Sequence, residues 1–258
     1  MLTGLDHVVI VVADLDEAVR RYEALGFAVT PGGRHSTGTH NALIGLAGGY
    51  IELLAFLQPN PAHRWAPALQ RGGGLVDVCV SSDNLAEEIA RFEAAGVALE
   101  PPRAMSRTKP DGSEIQWRLS IPKGRVAGTV PFLIEDLTPI ERRRPPQRAH
   151  ANKVTRIRSI QFVTGDDTAA RALVGKLLPG PQTKIVDAAL RAHGTRYSLG
   201  DAGFDILVPD SPSSPLTDWL AERGPSLRSM ILDRDEATAG SWPASETCGV
   251  PIELAPTR

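Results

Sequence analysis

The chain repeats itself, and that repetition constrains its fold more than any other feature. Residues 5–27 read LDHVVIVVADLDEAVRRYEALGF, residues 75–97 read LVDVCVSSDNLAEEIARFEAAGV, and the two align without a gap. A repeat of this kind means one supersecondary unit used more than once. Each copy opens with a short apolar strand, passes an Asp/Asn turn and enters an amphipathic helix. In the first copy Leu15, Ala18, Val19, Tyr22 and Leu25 share one helical face. Asp14 with Glu17 three residues on has the pattern of a capping box, and Gly26 supplies the stop. In the second copy Leu85, Ile89 and Phe92 make the face and Gly96 the stop.

Strand-like segments follow each helix. They are 40–46 and 50–56 in the first copy, and 114–121 and 130–134 in the second, after a turn at Pro110-Asp111-Gly112. Each copy therefore reads β-α-β-β-β. A third copy starts near Ile157 and ends at 203–208. A fourth starts near Ser226, has a poor helix and ends at 249–254. The expected fold class is α+β, with four βαβββ units in two pairs. The pairs correspond to residues 1–138 (units 4–57 and 74–138) and 154–258, joined by a linker at 139–153. That linker is rich in proline and arginine, and its run Arg142, Arg143, Arg144 reads as solvated surface. Gly72-Gly73-Gly74 reads as a hinge ahead of the second unit.

Composition excludes several function classes. A formal net charge of −2 gives no positive field for nucleic acid or an anionic membrane. The apolar run 8–13 is too short for a bilayer span or a signal-peptide core, and strand-like sequence from Leu5 leaves no room for a leader. Cys79 and Cys248 are far apart and read as buried thiols in a reducing compartment, so a cytoplasmic protein is expected. A phosphate-cradling glycine loop, a Gly-x-Ser-x-Gly elbow and a His-Glu-x-x-His motif do not occur.

The opening LDHVVIVVADLDEAVRRYEALGF and the strand GYIELLAF resemble the vicinal-oxygen-chelate superfamily. Its members include glyoxalase I, extradiol dioxygenases, fosfomycin-resistance enzymes and bleomycin-binding proteins. The stretch VTPGGRHSTGTHNALIGL is similar to an uncharacterised glyoxalase-like branch of it. The first pair of units carries the resemblance, and the second shares architecture more than motif. The resemblance implies that each pair forms an incomplete β-barrel around a concave cavity. In many members a divalent metal sits there, held from the first and last strands of the units.

Strand alternation bears on those ligand positions. Val8, Ile10 and Val12 make a face for the helix, which turns His7, Val9 and Val11 toward the cavity. Tyr50, Glu52 and Leu54 share a face in the closing strand. The implied ligand positions fall on His7 and Glu52. In the second unit Val76, Val78 and Val80 take the helix side, so Asp77 stands for His7 and Glu135, approximately, for Glu52. The resulting set is His7, Glu52, Asp77 and Glu135. It suits Mn, Mg or Fe best, leaves Zn or Ni open, and leaves open that there is no metal. It is not the two-imidazole, one-glutamate pattern of the dioxygenases, which argues against oxygen redox chemistry.

Each residue also has a plain structural reading. His7 could be a hydrogen-bonded strand histidine, Asp77 could bond backbone, and Glu135 at a strand end could face solvent. Glu52 within YIELL is harder to place without a partner, a solvated cavity or a ligand. Trp117 and Arg118 share a strand, and Arg118 could clamp a substrate carboxylate or phosphate or lie on the surface. Arg107 has the same standing. His63 and Trp65, in the crossover between units, could cap the cavity mouth. In GGRHSTGTHNALIGL the glycines Gly32 and Gly33 read as a bend. Its position, away from the ligand strands, makes His35, Thr39 and Asn41 a rim for substrate and speaks against His35 and His40 as metal ligands. In the second pair Arg158 or Ser159 stands for His7 and Asp205 or Ile206 for Glu52, and Glu253 returns. No ligand set assembles there, and this half reads as a degenerate copy.

The implied function is a metal-dependent lyase or isomerase of the glyoxalase type. Its metal would stabilise an enolate of a small oxygen-chelating substrate, with Glu52 or Glu135 as base. The alternative is a non-catalytic small-molecule-binding protein, like the bleomycin-binding members. Because two units pair within one chain, a monomer serves as well as a homodimer.

Overall fold

The structure, a computed structural model, describes residues 1–108, 112–124, 128–178 and 180–257. Pro110 and Asp111 of the expected turn lie outside the described residues. The first unit is β1 (Leu2–Val11), α1 (Leu15–Ala24), β2 (Thr30–Arg34), β3 (Thr39–Leu46) and β4 (Gly49–Phe56). A crossover carrying α2 (Ala66–Gln70) leads to β5 (Gly74–Ser82), α3 (Leu85–Ala94), β6 (Arg103–Thr108), β7 (Glu114–Ser120) and β8 (Phe132–Asp136). After α4 (Ile140–Arg143) the third unit runs β9 (Val154–Val163), α5 (Asp167–Leu177), β10 (Gln182–Asp187), β11 (Ala192–Leu199) and β12 (Ala202–Pro209). Then α6 (Pro215–Arg223) precedes β13 (Ser226–Arg234), β14 (Gly240–Trp242) and β15 (Ile252–Pro256). The fourth unit has no helix after its first strand among the described residues.

The strands form two sheets. One has the order β2-β3-β4-β1-β5-β8-β7-β6 and the other β10-β11-β12-β9-β13-β15-β14. In each, the first strands of two units lie antiparallel at the centre, and each unit's last strand runs parallel to its first. This is the tandem βαβββ architecture that the repeat predicts.

The helices start where the sequence marks them. Asp14 accepts from the Glu17 amide at 2.9 Å and Asn84 from the Glu87 amide at 3.2 Å, each satisfying one free donor of a helix end. Tyr22 of α1 and Phe92 of α3 are fully buried in one core that also takes Ile160, Phe204, Met230 and Leu232 from the second sheet. The Tyr22 hydroxyl donates to the Thr247 carbonyl at 3.2 Å. The helix sides of both sheets thus share a single apolar interior.

Alternation along β1 places Val8, Ile10 and Val12 in that core and Val9 and Val11 in a separate cluster on the concave side. On β5 the expectation fails at Val76. It joins Cys79 on the concave side, while Leu75, Val78 and Val80 face the shared core. The cause is a bulge: Val9 pairs with Asp77 but Ile10 with Leu75, so Val76 and Asp77 fall together between two core-facing residues. A matching bulge between Leu5 and His7 puts Asp6 and His7 together on the concave side.

The arginine run expected on the surface is also corrected. Arg143 is only 4% exposed, because buried carboxylates await it. The far end of the linker is docked as well: His150 bonds the Gly45 carbonyl at 3.0 Å and accepts from the Ala28 amide at 3.0 Å. Among the described residues no helix is long and apolar enough to cross a membrane.

A Cβ at Gly45 would stand 2.4 Å from the Pro146 carbonyl oxygen. Gly45→Ala should therefore displace the linker and lower stability by about 1–3 kcal/mol in urea unfolding. An unchanged midpoint would mean that the linker is not fixed there.

Candidate functional site

The concave side of the first sheet holds a cavity of about 520 Å³. One wall is apolar, with Leu54, Met105, Trp117, Leu119, Phe132 and Ile134. The other is polar and centres on His7. The bulge in β1 brings His7 and Asp6 side by side, and the His7 Nδ1 lies 2.6 Å from Asp6 Oδ1. That bond fixes the imidazole with Nδ1–H toward Asp6 and Nε2 toward the cavity. The ring stacks on Tyr50, centroids 4.7 Å apart, and meets the edge of Phe132 at 5.6 Å.

Nε2 lies 3.4 Å from Glu52 Oε2. The other carboxylate oxygen of Glu52 accepts from Asn41 Nδ2 at 2.5 Å, and that amide lies 3.4 Å from His35 Nε2. His35 in turn meets Thr39 Oγ1 at 2.8 Å. A connected polar row therefore runs Asp6–His7–Glu52–Asn41–His35–Thr39. Burial, aided by the Arg107 charge against an opposing pull from Glu52, lowers the His35 pKa, so this ring is neutral at pH 7.

Asp6 is fully buried and surrounded by donors. Arg143 reaches it through two nitrogens at 2.9 and 2.6 Å, Arg144 through two at 3.1 and 2.9 Å, and Ser81 Oγ at 2.8 Å. Burial pushes the Asp6 carboxyl up, but Arg143 and the His7 N–H outweigh it and hold it well below the usual carboxylate range. Arg143 also donates to Asp136 at 2.5 and 2.8 Å and to the Tyr50 hydroxyl at 3.0 Å.

The glycine pair has a different role from the expected bend. Gly32 and Gly33 lie inside β2, at a bulge between Pro31 and Gly33, and the turn comes later, where Gly38 donates to the His35 carbonyl. A Cβ at Gly32 would stand 1.9 Å from Asn41 Oδ1, and one at Gly33 2.9 Å from Arg107 Cδ. Gly33 also has a φ of +149°, which disfavours any side chain. The pair leaves room for two side chains of the site.

Of the expected site residues, His7, Glu52, His35, Thr39, Asn41 and Trp117 line the cavity. Asp77, Glu135 and Arg118 do not. Asp77 matches His7 in the repeat, but its carboxylate is taken up by Trp65 Nε1 at 2.9 Å and by the Arg64 guanidinium, which cover it. The expected match of Glu135 to Glu52 is out of register. Val9 pairs with Glu52, and its repeat mate Cys79 pairs with Phe132, so Phe132 occupies the Glu52 position. Glu135 is three residues further on, hence on the opposite face, where it accepts from the Leu85 amide at the start of α3 and pairs with Arg118. Arg118 is thereby tied on the helix side, away from the cavity. In the second half Ser159 and Asp205 hold the corresponding positions, and Asp205 is paired with Arg196 at 2.6 Å.

The expected four metal ligands therefore do not converge. Among the described residues one group, Asp6, His7 and Cys79, places a donor atom of each within 4.8 Å of the others. These donors fit a resident ion poorly. Asp6 is saturated by two arginines and Ser81, and burial, with the Asp6 charge, raises the Cys79 thiol well above its usual pKa, away from the thiolate a metal needs. On the cavity side His7 and Glu52 supply two donors, and Phe132 fills the place of a third.

A profile of the glyoxalase-like domain matches residues 5–178. The chain belongs to the glyoxalase-like domain family. This places it in the vicinal-oxygen-chelate superfamily. A hypothetical protein from Staphylococcus aureus is 16% identical over 98% of this glyoxalase-like chain and 99% of its own, with a TM-score of 0.72. A mutant 4-hydroxymandelate synthase from Streptomyces coelicolor is 15% identical over 92% of this chain and 72% of its own, with a TM-score of 0.58. Both likenesses are likenesses of fold. Methylmalonyl-CoA epimerase from Mycobacterium tuberculosis is 28% identical over 55% of this chain and 92% of its own, with a TM-score of 0.40. No curated protein matches the sequence.

Arg143→Met in this glyoxalase-like chain leaves Asp6 and Asp136 short of their main partner and should cost about 3–5 kcal/mol in denaturant unfolding. Because the folded-state pKa of Asp6 is depressed, its contribution is present above the unfolded value of about 3.9 and is lost as pH falls through the folded value. Asp6→Asn should flatten that acid limb of the stability curve. An unaltered limb would place the acid sensitivity elsewhere.

Proposed function

We propose that the cavity is an active site for proton transfer on a small oxygen-bearing molecule, in an isomerase or lyase reaction through an enolate-type intermediate. His7 and Glu52 are the acid–base pair, and the reading uses no resident metal. The observation that carries it is the 3.4 Å approach of His7 Nε2 to Glu52 Oε2 at the cavity wall, with Asp6 bonded behind the imidazole. Asn41 orients the Glu52 carboxylate, which takes a proton from carbon next to a carbonyl. Asp6 stabilises positive charge on His7 when Nε2 carries the proton, so His7 can return one to the intermediate. The apolar wall with Trp117 and Met105 takes the non-polar part of the molecule. The two free thiols, Cys79 and Cys248, favour a reducing compartment such as the cytoplasm.

The test is exchange of carbon-bound protons in D2O, followed by NMR over a panel of 2-oxo acids, aldehydes and thioesters. Wild-type protein should catalyse exchange on at least one of them. Glu52→Gln and His7→Gln should each slow it by about 10²–10⁴-fold. Binding without exchange would leave a small-molecule-binding protein instead. Protein purified without a histidine tag should carry far less than one metal ion per chain. A stoichiometric ion that disappears in Glu52→Ala would restore metal-dependent chemistry.

A further inference from the structure

The cations around the cavity differ in one respect. Arg143 is paired with Asp6 and Asp136, and Arg64 with Asp77. Arg103, at the edge, is exposed and solvated. Arg107 lines the cavity at 7% exposure and, among the described residues, has no carboxylate in ion-pair reach. Its Nη2 donates to the Arg143 carbonyl at 3.3 Å, and its buried Nε has no partner among the described residues. Burial lowers its pKa, and Glu52 and Tyr50 are near enough to oppose that lowering. A buried guanidinium whose Nε–H is left without a partner among the described residues is unfavourable by itself. Its position is nevertheless built in, since Gly33 lacks the side chain that would strike its Cδ.

We infer that Arg107 awaits the carboxylate of the molecule the cavity takes, so that the ligand is a small organic monoacid with an apolar body. This names the substrate class for the proton-transfer reading and rests on that reading. The fork geometry suits a planar carboxylate. Charge favours a monoanion over a phosphate dianion: one unpaired guanidinium faces a cavity that also contains Glu52 and Glu100. On the same strand as Arg107, two residues back, Met105 joins Trp117 in the apolar wall that would hold the body of the acid.

The test is calorimetric titration of wild-type protein with phenylacetate, phenylacetamide and phenyl phosphate. The acid should bind about ten- to a hundredfold more tightly than the amide, the scale of a lost charge-assisted hydrogen-bond pair. Arg107→Met should abolish that preference and melt no lower than the wild type. Arg107→Lys, which keeps the charge without the fork, should fall between them. An amide bound as well as the acid, a phosphate bound better than the acid, or failure to take any of the three overturns the inference. So does an Arg107→Met protein that keeps the preference, or one that melts well below the wild type, which would make the arginine structural. Glu52→Gln separates this from the proton-transfer reading: it should bind the acid undiminished while losing exchange. Acid binding with no exchange in wild-type protein sinks the catalytic reading and leaves the carboxylate site standing.

Discussion

The first half of the molecule is organised around one buried carboxylate. Asp6 has no solvent access, and a charge in such a place persists only if donors surround it. The donors come from three parts of the chain: His7 beside it, Ser81 on the neighbouring central strand, and Arg143 and Arg144 from the segment after the eighth strand. Satisfying Asp6 therefore aims the His7 ring, ties the two units together at their shared axis and pulls the linker onto the sheet. The same Arg143 holds the Tyr50 hydroxyl, and Tyr50 is the platform on which His7 stacks.

Repetition built the sheet, and loss of repetition built the site. Four positions are equivalent across the first two units, and they hold His7, Glu52, Asp77 and Phe132. An apolar ring in one of them and a covered carboxylate in another leave a single polar corner in an otherwise apolar cavity. In the second half the same four positions carry Ser159, Asp205, Ser229 and Glu253, with Asp205 closed off by Arg196. That sheet keeps the hydrogen-bonding frame and the shared core. Its concave face is partly covered by α6, whose Leu216 packs with Val163 and Leu207.

The fold was legible because period-two strands, capped helices and glycine stops recur at fixed spacing. His7 and Glu52 were legible for the same reason, since plain alternation holds between Val8 and Val12 and along β4. The errors sit where alternation breaks. Bulges at Asp6–His7 and Val76–Asp77 have no mark in the residue types, so plain alternation gives Asp6 no role and Val76 the wrong face. The Glu135 match failed because a three-residue error in register reverses the face. Arg143 is unreadable by local inspection: three arginines between prolines look solvated unless the acid that two of them serve, more than a hundred positions earlier, is known to be buried. The signal that could have found it was Asp6 itself, a carboxylate inside an apolar strand.

The linker's arginines have a consequence for how this protein can be divided. Judged by strands, the first half is complete at residue 138. Judged by charge it is not, because the counterions of its central carboxylate lie beyond that point. Any exchange of halves between relatives, or any insertion made at the apparent seam, has to move the joining segment together with the half that precedes it. The seam in topology and the seam in electrostatics fall at different places, and the cavity is served by the second.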